Sequence, residues 1–416
     1  MLSRIIQRNK NDKKMKIAVS HSRKDNPAQA AKEAFERLTA KMAVPIHMLL
    51  VYYTEALDPG IIAGTLSELA PNVPIHGGST SQGILTDAGF IAGRPGALGL
   101  LGIFDPDGQY GTAFCDYAEG AYQAGVSAIQ KSLQNAGRPG ESPLLVWMTA
   151  TPGKEEEVIA GIQSVVGPHV TILGGTAADD TISGNWSIIG NSETGQEGVV
   201  LSAFFPSTEP GFSFHSGYSP TRHGGLVTRA HDRILHEIDN RPAAEVYDEW
   251  TGGVVSAALT KGENILRVTN HFPLARVTHW LGRVPLYLFS HPERILPDAS
   301  IALFTDIRTN EHVSLMIGNR ASLVQRPVRV IQSILEKNDY RLEQIQGALI
   351  VFCAGSMLAV QNDLGRVHRM MQALLPGVPF LTIFTFGEQG FLHGGDNYHG
   401  NLMISAMLFS DEPSAL

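Results

Sequence analysis

The chain writes one stretch twice. Ile62 to Gly78, IAGTLSELAPNVPIHGG, returns as Ile159 to Gly175, IAGIQSVVGPHVTILGG, 97 residues later and without a gap. Nine of the seventeen positions are identical, among them Ile62 and Ile159, Pro71 and Pro168, and the closing pairs Gly77-Gly78 and Gly174-Gly175. An ungapped repeat needs the same elements at the same spacing, so it constrains the fold before any other feature does.

Each copy has an apolar run (His47 to Tyr53; Leu144 to Met148), a segment of helical period, and a short apolar run ending in Gly-Gly. That order predicts a βαβ unit, with parallel strands joined through a helix. The glycines suit a sharp turn or a close backbone approach at the strand end. Small polar residues follow at once: Ser79, Thr80 and Gln82 in one copy, Thr176 and Asp179 in the other. Ligands of open parallel sheets bind beyond the carboxyl ends of strands. The expected ligand-binding set is therefore Gly77, Gly78, Ser79, Thr80, Gln82, Gly174, Gly175, Thr176 and Asp179, joined by Cys353 and Glu388 from a later unit. A tight turn kept only for packing is the plainer alternative.

The rest of the chain extends the pattern. Lys16 to Ser20 reads as a strand and Pro27 to Met42 as a helix, with Ala121 to Leu133 as its counterpart before the second copy. Ala97 to Phe104 and Tyr110 to Tyr117 read as a hairpin around Asp105-Pro106-Asp107-Gly108. Beyond the prolines at 206 and 210 the plan returns more faintly. Val328 to Leu335 and Leu364 to Leu375 read as helices, and Ala348 to Cys353 and Val378 to Phe386 as strands, with Phe386-Gly387-Glu388 standing where Gly-Gly would be. The expected organisation is a basic, disordered extension over 1–14, two βαβ repeats over 15–209, and a third, diverged unit over 210–416. The fold class is α/β, with repeated βαβ units building mixed sheets, either two sheets or one extended one.

Composition narrows the function. A net charge of −8 offers no basic field to nucleic acid or an anionic membrane. No window approaches 18 apolar residues, so no membrane span is expected. The two cysteines, Cys115 and Cys353, are far apart, which fits a reduced, cytoplasmic setting and excludes a disulfide scaffold. Walker A, GxSxG and HExxH patterns are all missing, so no common catalytic class announces itself.

Together VSHS (Val19 to Ser22), VPIHGGSTSQG (Val73 to Gly83), Glu245-Val246-Tyr247 with Trp250, GALIVFCAG (Gly347 to Gly355), and Phe386-Gly387-Glu388 resemble the two-part FIST domain, with N-terminal and C-terminal segments. The resemblance runs from about Met15 to Phe409. It implies a sensory, small-ligand-binding protein of a signal-transduction system, proposed for ligands such as amino acids. One branch of the family implies haem and nitric-oxide sensing, with a separate histidine kinase or cyclic-di-GMP enzyme as partner; a homo-oligomer is also allowed. One departure stands out: the family often carries an Arg shortly after the Cys of its C-terminal segment, where this chain has Ala354-Gly355-Ser356-Met357.

Fifteen histidines accompany that reading, and His215 and His291, each after an apolar, aromatic-bearing run, are the alternative haem ligands. The plainer reading of each alone is an ordinary partly buried histidine. Glu388, near His393, Asp396 and His399, suits an ammonium group or a turn cap. A hydrolase or transferase using Cys353 and Glu388 is the runner-up of a different class; an inert buried thiol is the plainer reading of Cys353.

Overall fold

The structure, a computed structural model, describes residues 14–259, 262–392 and 396–412. Residues 1–13 of the expected extension and His393 lie outside the described residues. Lys14 is placed, with Nζ 3.2 Å from Asp411 and 3.1 Å from Glu412.

The first unit runs β1 (Lys16–Ser22), α1 (Pro27–Met42), β2 (Met48–Tyr53), α2 (Pro59–Leu69), β3 (Ile75–Ser79), β4 (Gly83–Thr86), β5 (Gly89–Ala92) and β6 (Leu98–Phe104). The second repeats it as β7 (Gln109–Cys115), α3 (Ala121–Asn135), β8 (Leu145–Ala150), α4 (Glu155–Val166), β9 (Thr171–Gly175), β10 (Ile188–Gly190), β11 (Glu193–Gly195) and β12 (Val199–Phe205). The third opens with β13 (Gly211–Ser216) and is then interrupted by an insertion. The insertion holds β14 (Ser219–His231), β15 (Ile234–Ile238), β16 (Arg241–Pro242), α5 (Ala243–Thr251), α6 (Ser256–Leu259), α7 (Leu266–Thr269), β17 (Leu274–Leu281), β18 (Val284–Ser290), β19 (Pro292–Ile295), β20 (Ile301–Leu303) and β21 (His312–Ile317). The third unit resumes with α8 (Arg320–Lys337), β22 (Ile345–Cys353), α9 (Ala354–Ala359), α10 (Leu364–Leu374), β23 (Phe380–Thr385), β24 (Glu388–Leu392), β25 (Asp396–Gly400) and β26 (Met403–Ser410).

Among the described residues each unit builds its own six-stranded sheet, and the insertion builds an eight-stranded one. The expectation of two sheets or one extended sheet is corrected by a cyclic exchange. Hairpin β4–β5 of the first unit pairs with β23 of the third, β10–β11 of the second with β3 of the first, and β24–β25 of the third with β9 of the second. Each unit thus finishes its neighbour's sheet edge, which leaves fewer unpaired strand edges than three separate sheets would.

The pairing of the parallel strands matches across the repeat: Val51 lies opposite Gly77, and Met148 opposite Gly174. In β2, Leu50 and Tyr52 enter a central core shared by all three sheets, while Leu49, Val51 and Tyr53 pack under the helices. A strand buried on both faces explains why these segments read as unbroken apolar runs.

The expected sharp Gly-Gly turn is also corrected, because both pairs lie inside strands. A Cβ on Gly77 would sit 2.1 Å from Val51 O, and one on Gly174 1.9 Å from Met148 O. The second glycine of each pair touches the next unit, Gly78 meeting Thr149 and Gly175 meeting Thr385. The turn expected at 105–108 forms, with Gly108 N donating to Asp105 O. Its flanking strands do not pair with each other: β6 joins β1 and β2, and β7 joins β12. No helix among the described residues is long and apolar enough to cross a membrane.

Candidate functional site

The strand ends of the three units do converge, as their spacing predicts, but most of the polar residues there are spent on stitching the units together. Ser79 Oγ accepts from Ser187 N at 3.0 Å. Thr80 Oγ1 accepts from Phe384 N at 2.8 Å and donates to Gly83 O at 3.0 Å. Asp179, fully buried, gathers the backbone N–H groups of Thr181, Ile182, Ser183, Gly184 and Asn185. A carboxylate with five backbone donors organises a loop and has little capacity left for a ligand. Of the expected site residues Ser79, Thr80, Gln82, Thr176, Asp179 and Glu388, these contacts commit Ser79, Thr80 and Asp179 to backbone partners. Gln82 is different. It adopts φ 63°, its N donates to Asp180 Oδ1 at 2.6 Å, and it lines an open cavity of about 400 Å³ with Arg94 and Met357.

Cys353 and Glu388 do meet, deep in the third unit. Glu388 is fully buried, accepting from Thr385 Oγ1 at 2.9 Å and Met403 N at 3.1 Å. Burial drives its pKa well above the usual carboxylate range. Burial, reinforced by Glu388, likewise drives the Cys353 thiol upward. The Cys353 thiol therefore stays protonated at physiological pH, the state of an inert thiol rather than an attacking thiolate.

The two histidines are not brought together. His215 is exposed on β13. His291 is 4 % exposed, with Nε2 3.0 Å from Thr269 Oγ1, and burial lowers its pKa to about 3. Neither lines the cavities described here, and this geometry lends haem ligation no support. His76, in the repeated stretch, is equally buried, with ring nitrogens 2.8 Å from Thr149 Oγ1 and 2.9 Å from Ser202 Oγ.

Thr176 leads to the charged part of the molecule. Its Oγ1 donates to Glu155 Oε1 at 2.9 Å and accepts from Gln389 Nε2 at 3.0 Å; the same Nε2 lies 3.1 Å from His399 Nδ1. Glu155 opens α4, and Arg233, at the β14–β15 turn of the insertion, reaches it with Nη2 at 2.7 Å. The same guanidinium bonds Glu156, and its Nε lies 3.3 Å from Asp306 Oδ1. Burial pushes Glu155 up, but His399 and Arg233 outweigh it and hold the carboxyl at about 2. Glu155, Glu156 and His399 are close enough to share a cation. Arg233 already brings positive charge to both glutamates.

Beside this cluster opens a cavity of about 380 Å³ between α4, β17, β25 and the segment before β21. Its polar wall holds Glu156, Asp306, Glu311, Arg276, Arg308 and His399; its apolar wall holds Ile159, Ala160, Val277 and Leu288. Two of the charges are poorly matched. Asp306 is raised from its ordinary value by burial and by the neighbouring Glu156, although Arg233, which it shares with Glu155 and Glu156, opposes the shift. Arg276 is lowered by burial, and its nearest carboxylate, Glu311, is 3.7 Å from Nε. A carboxylate that shares its guanidinium with two glutamates and a guanidinium whose one carboxylate is 3.7 Å away, lining one cavity with an apolar wall, suit a small ligand that carries both charges.

Sequence reasoning missed this wall because its members come from α4, the insertion and β25. Two signals were present: the run Glu155-Glu156-Glu157 inside the repeat, and His399 in the turn-rich stretch after Glu388.

Two family descriptions cover most of the chain: FIST N domain over residues 47–241 and FIST C domain over 243–391. No curated protein matches. Among solved structures the chain is similar to a cyanuric acid hydrolase from A. caulinodans, with TM-score 0.38 and 8% identity over 96% of this chain and 100% of that one. A second cyanuric acid hydrolase structure gives TM-score 0.36 and 8% identity over 95% and 100%. PurLQS from Thermotoga maritima gives 0.22 and 8% over 95% and 73%. The FIST matches span well over half of the residues, so the chain belongs to the FIST family, whose domains are small-ligand sensory domains of signal transduction.

Proposed function

We propose that the protein senses a free α-amino acid, bound in the cavity beside α4, and passes the result to a separate signalling protein. The observation that supports this reading is that Asp306 and Arg276, each held only by a long ion pair of 3.3 and 3.7 Å, line one cavity. Asp306 and Glu156 receive the ammonium group, Arg276 and Arg308 the carboxylate, and Ile159, Val277 and Leu288 the side chain. Charge-assisted bonds of this kind are stronger than neutral ones and fix orientation.

Thermal unfolding with a panel of free amino acids tests it. At a concentration about a hundredfold above Kd, a bound ligand adds about 2.7 kcal/mol to stability. At least one amino acid raises Tm for the native chain, and Asp306→Asn or Arg276→Gln abolishes that rise while the unliganded variants stay folded. Equal ligand-induced stabilisation in both variants places the site elsewhere.

A further inference from the structure

The helical layer over the third sheet differs in charge from the rest of the protein. α8 and α10 carry Arg320, Arg326, Arg329, Arg366 and Arg369, in a chain whose net charge is −8. The corresponding α4 of the second unit begins instead with three glutamates. Of the five arginines only Arg320 has a carboxylate partner among the described residues, Asp363 at 2.5 Å. Arg329 bonds only the Gln325 side chain, at 2.8 Å, and Arg366 and Arg369 are exposed.

Arg326 is the informative member. It lies half-buried against Gly217, and its Nε is buried without a hydrogen-bond partner. Burial first, then neighbouring Arg329, push its pKa down to about 10. A guanidinium nitrogen taken out of water with no acceptor costs the free protein stability, so folding alone does not account for it. α8 and α10 pack side by side, and the Arg320–Asp363 pair joins their N-terminal ends. Arg326 and Arg369, both in the second turn of their helices, therefore stand at similar heights, with Arg329 and Arg366 within a turn of them.

We infer that the α8–α10 face is a docking surface for a segment of another protein rich in aspartate and glutamate, whose carboxylates complete Arg326, Arg329, Arg366 and Arg369. Arginine forks match carboxylates two bonds at a time. A long polyanion such as duplex nucleic acid, or an anionic membrane, would also meet the acidic remainder of the surface and be repelled by it. The docking face goes beyond the cavity reading and does not depend on which ligand the cavity takes.

The test uses a fluorescein-labelled glutamate-rich peptide and the full chain, with anisotropy read at low and high salt. The peptide binds at low salt, and combined replacement of the four arginines by Gln weakens it by about tenfold or more. The exposed pair alone, Arg366→Gln with Arg369→Gln, weakens it less and leaves Tm unchanged. Arg326→Gln raises the Tm of the free protein while weakening the peptide. The inference is overturned if peptide affinity is the same in the four-arginine variant. It is also overturned if Arg326→Gln lowers Tm with no change in peptide affinity, or if duplex DNA or phosphatidylserine vesicles bind through these arginines more tightly than the peptide.

Discussion

Arg233 Nη2 lies 2.7 Å from Glu155 Oε2, with the carboxylate side chain 2 % exposed and the guanidinium 17 %. This contact ties the insertion to the first turn of α4. Removing one partner of a buried pair strands the other charge, at a cost of about 3–5 kcal/mol. Arg233→Met is expected to lose that much in urea unfolding near neutral pH, and the double variant Arg233→Met with Glu155→Gln to lose less than the sum of the two single changes. The penalty shrinks as pH falls from the unfolded carboxyl value toward the folded value of about 2, because Glu155 contributes stability only while ionised.

The glycines of the repeated IAG triplets are expected to respond in opposite directions. A Cβ on Gly64 meets nothing within 4 Å, whereas one on Gly161 would lie 2.2 Å from Tyr122 O of the neighbouring α3. Gly64→Ala should stabilise by about 0.5–1 kcal/mol through helix propensity. Gly161→Ala should destabilise, since backbone must move. Thermal melts of the two single variants decide it, and a stabilising Gly161→Ala would contradict the close α3–α4 contact.

Acid should weaken the fold well above the carboxylate range. His76 and His291 are buried neutral, with folded values of about 3 against 6.5 unfolded. For a lowered folded value, the stability is fully present above the unfolded value and is lost as pH falls toward the folded one. Between about pH 7.5 and about pH 5 the loss is roughly 2 kcal/mol for each histidine. Urea midpoints across that window measure it, and replacing His76 by Gln should remove about half of the dependence.

Thiol reagents should find native Cys353 unreactive at neutral pH. It is 3 % exposed, and burial pushes its thiol upward. Two thiols per chain should react after unfolding in urea. Rapid modification of Cys353 in the folded protein would instead favour nucleophilic chemistry at the Cys353–Glu388 pair.

Much of the architecture is legible in the chain because it is written locally. The repeat at Ile62 and Ile159 specifies strand, helix and strand, and the corresponding pairs Val51–Gly77 and Met148–Gly174 keep one register. Pairing across units is not legible. Asp105 to Gly108 signals a turn and makes one, yet β6 and β7 enter different sheets, because strands apolar on both faces can pair with several partners. Ser79, Thr80 and Asp179 lie near the strand ends as expected, but their backbone partners are not legible, since a polar residue in sequence does not show which backbone groups will claim it.

The sequence by itself determined the βαβ plan, its repetition, and the glycines that let one unit approach the next, because propensity, hydrophobic period and steric allowance act over a few residues. The tertiary structure decided the hairpin exchange, the burial of Cys353 beside Glu388, and the cavity that sets Asp306 against Arg276. Charges from α4, the insertion and β25 acquire their states only when packing removes water from them, and chain spacing carries no record of that burial.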